Sequence, residues 1–125
     1  MSFCAAVNCM DGRVQDPIVR YLSGRFGVRY VDMITEAGPA GVLAAEPEST
    51  RAREIYRKVR ISIDAHGSRG LAIVAHDDCA GNSKSRDGQM EDLRGSANAL
   101  RGRFPGMVVV ALWVEDGGAV TEVPV

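Results

Sequence analysis

The sequence predicts an α/β fold, with a mostly parallel central sheet flanked by helices and an antiparallel edge strand at the C-terminal end. Three observations predict it. Short apolar runs bounded by turn residues alternate with longer segments of helical periodicity along the 125 residues, the pattern of successive strand–helix–strand units. The apolar runs lack a polar face, as strands buried on both sides do. The last two runs flank Asp116-Gly117-Gly118, a tight-turn signal that folds them into a hairpin.

The elements follow in order. FCAAVN (3–8) is short and apolar and reads as a buried strand. DPIVRYLSGRFG (16–27) reads as a helix, with Asp16 at the N-cap, Pro17 at the first helical position and Gly27 as its stop. RYVDMIT (29–35) is a second strand and AGPAGVL (37–43) a glycine-rich loop. Residues 49–65 carry Ile55, Val59 and Ile63 along one helical face. LAIVAH (71–76) is the third strand, AGNSKSRDG (80–88) a polar loop, and residues 90–104 a helix weakened by Gly95 and Gly102. MVVVALWVE (107–115) and AVTEVPV (119–125) complete the hairpin. No repeat or linker interrupts the pattern, so one domain spanning 1–125 is expected.

Composition narrows the function classes. The chain is 46% hydrophobic and 25% charged, with a net charge of −1, so no electrostatic bias favours nucleic acid or a membrane surface. No run approaches the ~20 apolar residues of a spanning helix, and MSFCAAV lacks the charged start of a secretion signal. A soluble cytoplasmic protein is expected, whose three cysteines are reduced and serve as metal ligands, reactive groups or core packing.

Two strand ends concentrate the chemistry-bearing residues. NCMDGR (8–13) follows the first apolar run and HDDC (76–79) closes the third. Ligands of open α/β sheets sit beyond the carboxyl ends of the strands. If the two strands are neighbours, Cys9, His76 and Cys79 converge as a Cys₂His set, the donor type of zinc sites that keep a fourth position open. Asp11 can orient a zinc-bound water or take that fourth position itself, and Arg13 can hold Asp11 ionised through a bidentate pair. Cys4 lies mid-strand and reads as core packing. His66 reads as an exposed residue near a helix end. Asp77 and Asp78 fit an outer contact to the metal site, a turn or a helix cap. Gly38 and Gly41 read as backbone punctuation, since no P-loop lysine follows them.

Cys9-x-Asp11-x-Arg13 followed by His76-x-x-Cys79 resembles the β-class carbonic anhydrases, and Glu36-Ala37-Gly38 is similar to that family's Asn-Ala-Gly segment after its second strand. The resemblance covers most of the chain. It implies zinc held by Cys9, His76 and Cys79, an Asp11–Arg13 dyad beside the metal, and reversible hydration of carbon dioxide to bicarbonate. It also implies a homodimer or higher homo-oligomer with its active site at the subunit interface. Three departures stand out. HDDCAG displaces the glycine that usually follows the second cysteine, Gly12 replaces a serine, and Glu36 replaces the asparagine. Three other readings stay open: hydrolysis of a carbon dioxide analogue such as carbonyl sulfide or carbon disulfide, a non-catalytic zinc protein in which Asp11 closes the metal shell, and a thiol sensor pairing Cys9 with Cys79.

Overall fold

The computed structural model describes residues 2–125. Strand β1 (Phe3–Cys9) leads through a 3-10 turn (Gly12–Val14) into helix α1 (Gln15–Phe26) and strand β2 (Tyr30–Glu36). Helices α2 (Pro39–Ala45) and α3 (Thr50–His66) follow, then β3 (Gly70–His76), α4 (Arg86–Arg103), β4 (Val108–Val114) and β5 (Val120–Val123). The five strands form one sheet in the order β2-β1-β3-β4-β5. β1 pairs in parallel with β2 and β3, β3 pairs in parallel with β4, and β5 runs antiparallel to β4. The expected mostly parallel α/β sheet with an antiparallel C-terminal edge strand is the observed architecture.

Local chemistry accounts for the boundaries and for where they depart from expectation. The segment 37–43, expected as a loop, is mostly helical. Gly38 turns the chain with a left-handed φ of +57°, and Pro39 opens α2 at a position whose N–H has no intrahelical partner. Asp16 is not the N-cap of α1. The helix starts earlier, after the 3-10 turn that Asp11 caps by accepting from the Arg13 N–H. Asp16 lies in the first turn, where its charge favours the helix dipole. Gly27 ends α1 in the left-handed conformation as expected. α4 starts at Arg86 rather than at residue 90, because the Ser85 hydroxyl accepts the Gly88 N–H and caps it.

The sheet is covered on both faces. Ala5, Val7, Ile73 and Ala111 pack against a layer of α2, α3 and α4 through Leu43, Val59 and Leu93. On the other face Cys4, Ala6, Ala72, Val74 and Leu112 pack against α1 through Ile18 and Leu22. Each fully buried leucine or isoleucine is worth about 1.5–3 kcal/mol. Cys4 is part of this core, as expected. It is fully buried, and burial, with the Asp32 carboxylate adding to it, pushes its thiol up to about 11. No helix among the described residues is long and apolar enough to cross a membrane. The adjacency of β1 and β3, with Val7 opposite Ile73, places Cys9 and His76 at neighbouring carboxyl ends.

Candidate metal centre

Cys9 is the last residue of β1, His76 the last of β3, and Cys79 lies in the turn that follows. Their donor atoms all lie within 4.8 Å of one another, and the two sulfurs are 3.8 Å apart. All three residues are buried. The His76 Nδ1 sits 2.7 Å from the Asp77 carbonyl oxygen. That oxygen can only accept, so Nδ1 carries a proton, and in the neutral ring that a metal requires Nε2 keeps its lone pair. Nε2 is fully buried and has no hydrogen-bond partner among the described residues. An orphaned buried acceptor is costly, and a metal ion would satisfy it. Two thiols and an imidazole nitrogen this close fit a tetrahedral, borderline-soft ion such as zinc.

Backbone donors surround the sulfurs. The backbone N–H groups of Gly38 and Asp11 lie beside Cys9 and that of Gly81 beside Cys79, while the Asn82 N–H donates to the Cys79 carbonyl at 3.2 Å. Burial raises the Cys9 thiol, but these donors, with His76 and Cys79 beside it, outweigh burial and bring it to about 7. The Cys9 sulfur in turn raises His76. Burial raises Cys79, and the charge of Cys9 adds to the rise. The two glycines press the loops together. A Cβ at Gly81 would lie 2.5 Å from the Ala37 carbonyl carbon and 2.7 Å from the Gly38 nitrogen.

Asp11 and Arg13 sit at the rim. Arg13 Nη2 reaches Asp11 Oδ2 at 2.6 Å, its Nε reaches Oδ1 at 3.0 Å, and its backbone N–H donates to Oδ1 at 2.9 Å. These bonds hold the Asp11 carboxyl well below the usual carboxylate range and raise Arg13 further. Arg13 also reaches the Asp78 carboxylate at 3.4 Å and its carbonyl at 3.1 Å. A cleft of about 390 Å³ opens beside Arg13 and His76, with Val14, Pro17, Asp77 and Glu115 among its lining.

A family model described as "Putative carbonic anhydrase" matches residues 1–124. The chain belongs to this family. A crystal structure of carbonic anhydrase from Streptococcus mutans is 18% identical, with a TM-score of 0.66 over 97% of this chain and 81% of that one. The b-carbonic anhydrase CafA of the fungal pathogen Aspergillus fumigatus is 10% identical, with a TM-score of 0.54 over 96% of this chain and 74% of that one. At these identities the likeness is one of fold. No curated protein matches the sequence.

Within this carbonic anhydrase family member, the remaining candidates take defined places. Glu36, the register partner of Cys9, accepts the Ala37 N–H at 3.0 Å and pairs with Arg51 at 3.5 Å. Asp78 adopts a left-handed φ of +53° in the turn between His76 and Cys79. Asp77 Oδ2 accepts the Asp116 N–H at 3.4 Å. His66 is not in the cluster. It pairs with Asp32 at 2.7 Å and stacks on Phe3. Gln15 belongs to no motif of the sequence, yet its amide donates to the Cys9 carbonyl at 2.8 Å and to the Asp11 carbonyl at 3.0 Å. Buried Asn8 likewise carries no motif signal, and its amide braces the same corner by donating to the Val14 carbonyl at 3.1 Å. The available signal was weak, a pair of amide side chains bracketing the Cys-x-Asp-x-Arg run.

Proposed function

We propose that this carbonic anhydrase family member is a zinc-dependent lyase interconverting carbon dioxide and bicarbonate. The observation that carries the reading is the buried Cys9–His76–Cys79 cluster with a locked Asp11–Arg13 pair at its rim. Zinc would be held by those three residues. When bound there, it supplies a Lewis acid that activates water for attack near neutral pH. Asp11, ionised throughout the physiological range, acts as an acceptor that orients an O–H donor and does not store the proton. Arg13 fixes that carboxylate and leaves its exposed guanidinium at the cleft mouth. Because Arg13 occupies both carboxylate oxygens, Asp11 is restrained from closing the metal shell, which supports the catalytic reading over the non-catalytic one.

The acidity of the cleft supports a second reading. Asp77, Glu115 and Asp116 line it, and carboxylates repel an anionic product. Hydrolysis of a neutral carbon dioxide analogue such as carbonyl sulfide or carbon disulfide fits that lining. We further propose a homodimer or higher homo-oligomer, on the strength of the carbonic anhydrase family membership alone. A cytoplasmic location is proposed because the three cysteines are free.

The test is stopped-flow carbon dioxide hydration on protein of verified zinc content, at neutral and alkaline pH, with carbonyl sulfide assayed in parallel. Zinc-dependent turnover of carbon dioxide supports the lyase. A flat trace for carbon dioxide with turnover of carbonyl sulfide supports the second reading, and a flat trace for both overturns the enzyme.

A further inference from the structure

Behind the Cys79 turn lies a buried carboxylate that the proposed chemistry does not use. Asp92 is on α4, and its side chain is only 7% exposed. Its Oδ2 accepts from the Asn82 amide at 2.8 Å, and its Oδ1 accepts from Lys84 Nζ at 2.8 Å. The Asn82 Oδ1 accepts the Lys84 N–H at 3.2 Å. One carboxylate therefore grips the loop 80–84 at two points. This is the loop that pairs with the metal-site turn, the Asn82 N–H donating to the Cys79 carbonyl at 3.2 Å.

Packing from α2 converges on the same spot. A Cβ at Gly41 would stand 3.0 Å from Asn82 Nδ2 and 3.5 Å from Asp92 Oδ2, so the glycine leaves room for this hydrogen bond. Asn82 and Gln89, on the α4 side, also line the small cavity around Cys9, His76 and Cys79. The Lys84 end of the pair is 54% exposed, and so open an ion pair adds little stability by itself. Its value here is in geometry. Hydrogen-bonded partners behind a metal ligand orient it and tune its basicity.

We propose that Asp92 is a positioning residue for the metal centre, acting through Asn82 on the Cys79 thiolate. The inference rests on the zinc reading above. Removing the charge releases Lys84 and weakens the hold on the Asn82 amide, which slackens the loop and lets the Cys79 turn paired with Asn82 shift.

The experiment compares zinc-loaded wild type with Asp92→Asn, Gly41→Ala and Val59→Ala. Zinc affinity is read by competition with a chromophoric chelator, and ligand geometry by the absorption of the cobalt-substituted protein. Val59 is fully buried on α3 and serves as a stability control that leaves the loop alone. Asp92→Asn and Gly41→Ala are expected to weaken zinc binding about tenfold or more and to shift the cobalt–thiolate bands. Val59→Ala lowers the melting temperature and changes neither. Gly41→Ala also carries the test if Asp92→Asn does not fold, because alanine favours the helix while crowding Asn82. Folded variants with wild-type zinc affinity and cobalt spectrum overturn the proposal, as does an equal loss of affinity in Val59→Ala. A wild-type chain that binds no zinc overturns the zinc reading and this inference with it, whereas zinc-binding wild type with unaltered variants strikes down this inference alone.

Discussion

At the residue scale, the centre separates groups that hold from groups that orient. Cys79→Ser should lose metal and thermal stability together, because metal-binding energy adds to folding energy. Metal content by elemental analysis and a melting curve on the same sample check this, and a variant that keeps stoichiometric zinc refutes the ligand assignment. Arg13→Ala should keep zinc but lose turnover about 10- to 100-fold, since Asp11 loses the three guanidinium hydrogen bonds that fix it and keeps only the one from the backbone N–H of residue 13. Paired zinc and rate measurements distinguish this from simple unfolding. Cys9, His76, Cys79, Asp11 and Arg13 were legible in the sequence because strand ends and short spacings determine where they lie. Gln15, Asn82 and Asp92 were not. An amide or carboxylate that braces a loop has no periodicity, and Asp92 meets Asn82 only through the way α4 folds back over the turn.

At the element scale, two contacts decide the outcome. The loops after β2 and after Cys79 touch backbone to backbone at Gly38 and Gly81, where any side chain collides with main-chain atoms that cannot yield. Gly81→Ala should therefore cost about 1–3 kcal/mol as an overpacking change and release zinc, which denaturant unfolding and metal analysis would show. The edge strand β5 is tied to α1 by Glu122, which accepts from Arg25 at 2.9 Å and from Tyr21 at 3.1 Å. Arg25 lowers the Glu122 pKa. A carboxylate with a lowered native pKa contributes stability above its unfolded value of about 4.3, and loses it as pH falls through the native value. Glu122→Gln should thus cost under about 1 kcal/mol at pH 7, discounted because both partners are over a third exposed. The deficit should close in acid, as melting curves at several pH values would record. The strands and long helices were legible from their apolar patterns. The α2 helix was not, because two glycines and a proline in seven residues look like a turn. The proline in fact opens the helix, and Gly41 makes room for the neighbouring side chains of Asn82 and Asp92.

At the scale of the whole molecule, two apolar layers enclose the sheet, and only the one facing α1 includes the site cysteines Cys9 and Cys79. Chelation should therefore leave a folded protein with a melting temperature lower by something on the order of 10 °C, unlike small domains that unfold without zinc. Circular dichroism before and after chelator checks this. The strand order has a consequence in time as well as in space. β1 cannot pair with β3 until the intervening α1, β2, α2 and α3 have been made, and such distant pairings are the slow ones in folding. In a nascent chain Cys9 thus waits for His76 and Cys79 to be made, and on the zinc reading metal capture would mark the central strand pairing. Trp113, the chain's single tryptophan, lies on β4 opposite Ala75. Its fluorescence would time the docking of the next strand against that capture.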